Sequence, residues 1–179
     1  YLNGVHQATQ YREEIGEEIQ MFFEEGSNRL QLLVENLGRV NYGYKLMSPS
    51  QKKGIRSGVM VDIHFESDWK NYALDLQDIS GIDFEKEWME QTPAFYRYET
   101  MIDNPKDTFL DLRDFGKGVV FVNGKNLGRY WNKGPAGYLY VPGTWLDPGK
   151  NTFVVFETEG VCREELLFSE HPVYIELEE

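Results

Sequence analysis

Carboxylates are the side chains of this sequence best placed to do chemistry, since 30 of its 179 residues are Asp or Glu. Cleaving a glycosidic bond takes two carboxyl groups roughly 5 to 5.5 Å apart for retention, or about 6.5 to 9.5 Å for inversion, on a rigid frame. No acid here stands in a motif that would desolvate one carboxyl and polarise a partner. The run Glu13, Glu14, Glu17, Glu18, Glu24 and Glu25 reads as a solvated face. His6, His64 and His171 lie far apart, with no Ser-His-Asp set, no nucleophile and no zinc spacing around them. Asp103, Asn104 and Asp107 carry oxygens that suit either a structural calcium or a turn, although Asp-Asn-Pro-Lys-Asp lacks the dense spacing of a calcium loop. Tyr130-Trp131, after Gly128-Arg129, suits either a stacking platform for a sugar ring or an anchor on another domain. The expectation is a chain with no catalytic residue, metal or cofactor of its own.

The elements that must position these residues read as strands. Val119 to Val122 is a short β-branched run, and Asn123-Gly124 behind it is the dipeptide that most readily supplies the positive φ angles of a hairpin turn. Leu139 to Val141 is stopped by Pro142-Gly143, and Thr152 to Phe156 runs from Pro148-Gly149 to Gly160. Phe95 to Thr100 and Thr108 to Leu112 are further strands around the polar turn 103–107. Residues 78–92 read as a connecting loop with room for a short helix at Phe84 to Glu90. The fold class this predicts is all-β, an antiparallel jelly-roll sandwich preceded by part of a related β-domain.

An internal repeat supports that division. Leu2-Asn3-Gly4, Gly26-Ser27-Asn28, Leu32 to Glu35 and Gly38 parallel Val122-Asn123-Gly124, Gly149-Lys150-Asn151, Val154 to Glu157 and Gly160. The first copy has nothing before Tyr1 to match the strands that precede the second. It therefore reads as truncated: residues 1–66 form a partial first domain and 67–179 a second. Ile15, Ile19, Phe22 and Phe23 have helical spacing. The repeat puts Ile19 to Phe23 in a strand slot, so a strand is expected there. Leu30 to Val34 is expected as a buried strand, and the alternation of Val59, Val61, Ile63 and Phe65 as one half-buried strand.

Two groups of residues carry a resemblance. Phe121-Val122-Asn123-Gly124, Leu127 to Trp131, Gly134-Pro135, Leu139-Tyr140-Val141-Pro142 and Gly149-Lys150-Asn151 resemble, in order and spacing, the last domain of the glycoside hydrolase family 35 β-galactosidases of bacterial type. Where that family continues Gly-Pro with Gln, this sequence has Ala136-Gly137-Tyr138. Val34-Glu35-Asn36 with Gly38-Arg39-Val40-Asn41-Tyr42-Gly43 is the second match. The resemblance implies a galactose-binding-like jelly roll and an accessory role beside a catalytic barrel that holds two glutamates and retains configuration. It implies that the loop lies against that barrel and that Tyr42 reaches the galactose pocket. Arg39, Tyr130 and Trp131 are candidates for sugar stacking or interdomain contact. An autonomous carbohydrate-binding module is the alternative reading. The partners expected are a β-galactoside bound through the catalytic domain, the barrel itself and a further copy in a homo-oligomer.

Totals narrow the partners. A net charge of −12 repels phosphate backbones and anionic membranes, so neither nucleic acid nor a membrane is expected. Aromatics at 15% suit sheet cores and sugar-facing surfaces alike. Cys162 is alone, which excludes an intrachain disulfide and suits the cytoplasm or a bacterial cell surface. No apolar run has the length of a membrane span, and no leader pattern stands at the start.

Overall fold

The computed structural model describes residues 1–176 apart from positions 15, 37 and 39. The chain divides into two compact units, one of Tyr1–Asn3 with Gln7–Leu74, the other of Gly4–His6 with Asp75–Glu179.

The second unit is the expected all-β sandwich. Its strands are β3 (Ala94–Ile102), β4 (Thr108–Asp111), β5 (Lys117–Val122), β6 (Lys125–Trp131), β7 (Tyr138–Val141), β8 (Gly149–Glu157) and β9 (Leu167–Ser169). They form a four-stranded sheet ordered β3-β8-β5-β6 and a three-stranded sheet ordered β7-β4-β9, antiparallel throughout. Between the sheets lie Leu110, Val120, Val122, Val141, Phe153 and Val155, with Leu112, Phe115, Tyr130 and Leu146 around them. Val119, Phe121 and Val154 point the other way and are covered by Leu76, Ile79, Phe84 and Phe95. The larger sheet is thus buried on both faces, which is why β5 reads as an unbroken apolar run instead of an alternation. β9 was not anticipated: three residues give too short a pattern. The helix allowed at Phe84 to Glu90 is absent, and those residues form turns and bends.

At the end of β5, Asn123 and Gly124 take φ values of 48° and 77°, the left-handed geometry the hairpin needs. The Asn123 side chain reaches Asn151: Nδ2 donates to Asn151 Oδ1 at 2.8 Å. Asn151 Oδ1 also accepts the Asp147 N–H at 2.8 Å, while its Nδ2 donates to the carbonyls of Asp147 and Gly149. Asn123 Oδ1 accepts the Thr152 N–H at 2.9 Å. Two asparagines therefore clasp the turn before β8 to the hairpin after β5. β8 ends on Glu157, fully buried, whose carboxylate accepts N–H bonds from Lys117, Glu159 and Val161 at 2.8, 3.1 and 2.6 Å. Burial pushes its pKa up, and the three N–H groups pull against that rise.

Five of these side-chain bonds recur around Asn3 and Asn28. Asn3 and Gly4 have φ of 53° and 84°. Asn3 Nδ2 donates to Asn28 Oδ1, which accepts the Glu24 N–H. Asn28 Nδ2 donates to the carbonyls of Glu24 and Gly26, and Asn3 Oδ1 accepts the Arg29 N–H. Tyr1–Asn3 pairs antiparallel with residues 29–31 through a bridge at Leu2 and Leu30. The sequence repeat is therefore a structural one.

Beyond the clasp the first unit departs from expectation. Ile19 to Phe23 forms neither strand nor helix, and Phe22 is 81% exposed. Ile15, on which the helical spacing partly rested, lies outside the described residues. Leu32, Leu33 and Val34 are exposed instead of buried; among the described residues the pairing of this stretch is with Tyr1–Asn3, and Leu32 to Val34 form no strand. Val59 to Phe65 is a hairpin, β1 (Met60–Val61) and β2 (His64–Phe65), turning at Asp62 with φ 51°. The turn residues Asp62 and Ile63 continue the polar–apolar alternation, which hides the reversal from a periodicity reading.

Candidate functional site

The loop that carries Tyr42 is bounded by Gly38 and Gly43, with φ of 81° and 107°, conformations that a side-chain-bearing residue resists. After Gly43 the backbone tightens into consecutive turns, with Leu46 N–H on the Gly43 carbonyl and Ser48 N–H on the Lys45 carbonyl. Ser48 caps the short 3-10 turn Pro49–Gln51. Lys53 Nζ donates to the Asn36 carbonyl at 2.8 Å and ties the base of the loop. On this frame Tyr42 is 92% and Tyr44 94% exposed. Lys45 Nζ lies 5.4 Å from the Tyr44 ring centroid. Tyr42 is therefore not packed beneath its own loop. Arg39, its neighbour in the sequence argument, lies outside the described residues.

The structure separates Tyr130 from Trp131. Adjacent residues of a strand face opposite sides of the sheet, and β6 turns Tyr130 inward. Its ring packs edge-on to Phe115 with centroids 5.9 Å apart, its hydroxyl donates to the Phe156 carbonyl at 3.5 Å, and burial pushes its pKa up. Tyr130 is a core residue, which removes it from sugar stacking and from interdomain contact. Trp131 points outward, half-buried, with Lys117 and Lys133 ammonium groups 4.8 and 5.4 Å from its ring centroid. Cations already occupy ring surface that a sugar would stack on.

A different aromatic surface, missed from the sequence, covers the outer face of the three-stranded sheet. In β4 and β7, Leu110, Leu139 and Val141 point to the core, so Phe109, Asp111, Tyr138 and Tyr140 point out. Register sets Phe109 opposite Tyr140 and Asp111 opposite Tyr138. The Phe109 ring lies 5.1 Å from Tyr138 and 5.6 Å from Tyr140, and Tyr174 adds its edge 5.7 Å from Tyr138. Tyr140 is 46% and Tyr174 60% exposed. A hydrogen bond to the Asp107 carboxylate raises the Tyr140 pKa and lowers that of Asp107, whose Oδ1 also accepts the Gly143 N–H at 2.8 Å. Asp107 thus serves the turn. Hydrogen bonding between Tyr138 and Tyr174 raises the Tyr138 pKa. Beside the rings, Arg113 forks onto Asp111, Nε to Oδ1 at 3.0 Å and Nη2 to Oδ2 at 2.7 Å, holding the Asp111 carboxyl below the usual range. Asp111 also borders a cleft of about 410 Å³ lined in part by Asp114, Cys162, Arg163 and Glu164. The available signal was Tyr138 and Tyr140 at period two in a strand whose alternate residues are Leu139 and Val141.

Among the described residues, no group of three or more His, Cys, Asp or Glu is placed to hold a metal ion. Among the described residues, no helix is long and apolar enough to cross a membrane. Cys162 is exposed with a free thiol.

Comparisons with known proteins agree on one family. Residues 1–75 match the model for the first all-beta domain of β-galactosidases, and residues 93–151 the model for their galactose-binding domain. Human β-galactosidase-1-like protein 2 is 39% identical over 158 residues, covering 83% of this chain and 24% of the relative. β-Galactosidase 1 of Dictyostelium discoideum is 37% identical over 145 residues, or 75% of this chain and 21% of the relative. The β-galactosidase of Xanthomonas manihotis is 39% identical over 116 residues, or 65% and 19%. Kinship thus extends to eukaryotes as well as bacteria, so a bacterial type is not established. The chain spans about a quarter of the length of these relatives or less.

Proposed function

We propose that this chain, which carries the first all-β and galactose-binding domains of a β-galactosidase, is the accessory region of an enzyme that removes terminal β-galactosides by a retaining two-glutamate mechanism. Its part is to shape the mouth of a catalytic barrel and to stabilise the enzyme, packed on that barrel within the same protein. Residues 1–66 and 67–179 are its two domains. The reading rests on one observation above others: a fully exposed Tyr42 on a loop pinned by Lys53 and bent at two positive-φ glycines. An exposed tyrosine on a braced loop offers a ring face to the C–H side of a galactose and a hydroxyl to its rim, with little left to order on binding. The aromatic face of the β7-β4-β9 sheet favours a second reading, direct glycan binding by the chain itself.

The test is Tyr42→Ala and Tyr42→Phe in the full-length enzyme, with kcat/KM measured beside thermal stability. Losing one such contact costs about 1 to 3 kcal/mol, or roughly one to two decades in kcat/KM. Ala is expected to lower kcat/KM by that amount at unchanged Tm, with Phe reporting the share of the hydroxyl. Wild-type kinetics in both variants would make Tyr42 a bystander. The 179-residue chain alone is expected to turn over no aryl β-galactoside, and turnover abolished by a single Asp or Glu substitution within it would overturn the accessory assignment.

A further inference from the structure

We propose that Leu32, Leu33 and Val34 of the first unit are the seat of one further β-strand, apolar and antiparallel to them, made by the residues that run into Tyr1 in the full-length enzyme. The proposal rests on the structural repeat within this chain and is independent of the accessory reading of Tyr42.

Both clasps open the same ladder. Asn123 donates its N–H to the Thr152 carbonyl at 2.8 Å, and Asn3 donates to the Arg29 carbonyl at 2.9 Å. Val122 then stands opposite Phe153, and Phe121 opposite Val154. In the first unit Leu2 stands opposite Leu30. Tyr1 and Gln31 exchange both bonds, the Tyr1 ammonium donating to the Gln31 carbonyl at 2.8 Å and the Gln31 N–H to the Tyr1 carbonyl at 2.9 Å. In the second unit the ladder runs on, setting Val120 opposite Val155 and Val119 opposite Phe156, and Val120 and Val155 are wholly buried. In the first, the next positions out are Leu32, Leu33 and Val34, apolar yet 41, 42 and 50% exposed and outside any strand.

Chain direction selects the occupant. Tyr1 already sits in register, so residues before it extend along 32–34 with no turn between. Its amino group fills a ladder slot suited to a peptide N–H, and burial lowers the pKa of that ammonium, a desolvation cost that a neutral amide avoids. Relatives extend well beyond the matched span, which covers 24, 21 and 19% of them. The pattern of β5, apolar without alternation, sets the chemistry of the added strand. A second copy could compete for the same edge, but it must reach by diffusion what the preceding residues hold at high effective concentration.

The experiment introduces paired cysteines into the full-length enzyme, in a Cys162→Ser background, and maps disulfides by mass spectrometry of an unreduced digest. Antiparallel residues that exchange no backbone bonds bring their Cα atoms to about 4.5 Å, within the span of a disulfide. Tyr1 and Gln31 are a bonded pair, so Leu32 and the residue immediately before Tyr1 form the next, unbonded one. Leu32→Cys with a cysteine at that residue is expected to close within the molecule, in at least about ten times the yield of Leu32→Cys with a cysteine one residue further back, which faces the other side of the sheet. A second readout needs no substitution: amides of residues 32–34 should exchange at least about a hundredfold more slowly in the full-length enzyme than in the 179-residue chain. Equal exchange, or no disulfide in an enzyme that stays folded by circular dichroism, overturns the strand. Equal yields from the two pairs overturn its register, and a disulfide joining two molecules overturns the occupant in favour of a second copy.

Discussion

Two asparagine clasps that share five side-chain hydrogen bonds stand in different surroundings. In the second unit Asn151 is fully buried, and the strand it launches buries Phe153, Val154 and Val155. In the first, its counterpart Asn28 is half-buried, and the residues after it include Leu32, Leu33 and Val34 at 41, 42 and 50% exposure. The contrast separates what a turn motif does from what a sheet does. An Asn-Gly hairpin and a facing Asn close on each other by local geometry, because positive φ and short side chains suffice. β8 is buried along its length because β3 and β5 fill both of its edges and side chains cover both of its faces.

Four measurements bear on that contrast. The largest difference is expected in native-state hydrogen exchange, where amides of β5 and β8 should exchange at least about three decades more slowly than those of residues 31–34. Comparable protection would mean that the clasp alone organises the strand. Next come the acids at matching positions of the repeat, Glu157 and Glu35. Glu157→Ala leaves three N–H groups without their partner in a dry site and should cost about 3 to 5 kcal/mol, read from urea midpoints, whereas Glu35→Ala should cost under about 1. Asn151→Ala and Asn28→Ala remove the same four hydrogen bonds. We expect about 3 kcal/mol for the buried Asn151 and at most about 1 for the half-buried Asn28, where water can replace part of the amide's bonding. Equal losses would break the comparison. The smallest effect belongs to the wet face of the second unit. With Asp111 depressed by Arg113, its stabilisation is complete above the unfolded carboxylate pKa and is lost as pH falls through the lower folded value. Because the pair is partly exposed, Asp111→Asn should remove only a shallow acid limb from a Tm-against-pH curve.

Where turn chemistry and β-branched runs coincide, the sequence was enough. Asn123-Gly124, Pro142-Gly143 and Pro148-Gly149 mark the ends of β5, β7 and the start of β8 within a residue or two, and the repeat of Asn3 and Asn28 was legible before its bonds were seen. Burial was not legible in the first unit, since Leu32 to Val34 has the composition of a core strand whether or not neighbours are present. The site divided along the same line. Tyr42 was singled out by the family resemblance of its loop, and the residues alone left a packed and a projecting tyrosine equally open. Tyr130-Trp131 misled because adjacency in sequence is opposition across a sheet, whereas Tyr138 and Tyr140, one residue apart, share a face.

The two walls of the sandwich differ in how freely evolution can rewrite them. A substitution at Phe121 or Val155 is felt by a packed layer and by the strands on either side, so most such changes are removed by selection for folding before any new use can be tried. Phe109, Tyr138 and Tyr140 answer to solvent on one side, and the strands beneath them keep their own core. That wall can therefore exchange side chains at less cost to folding than the buried one.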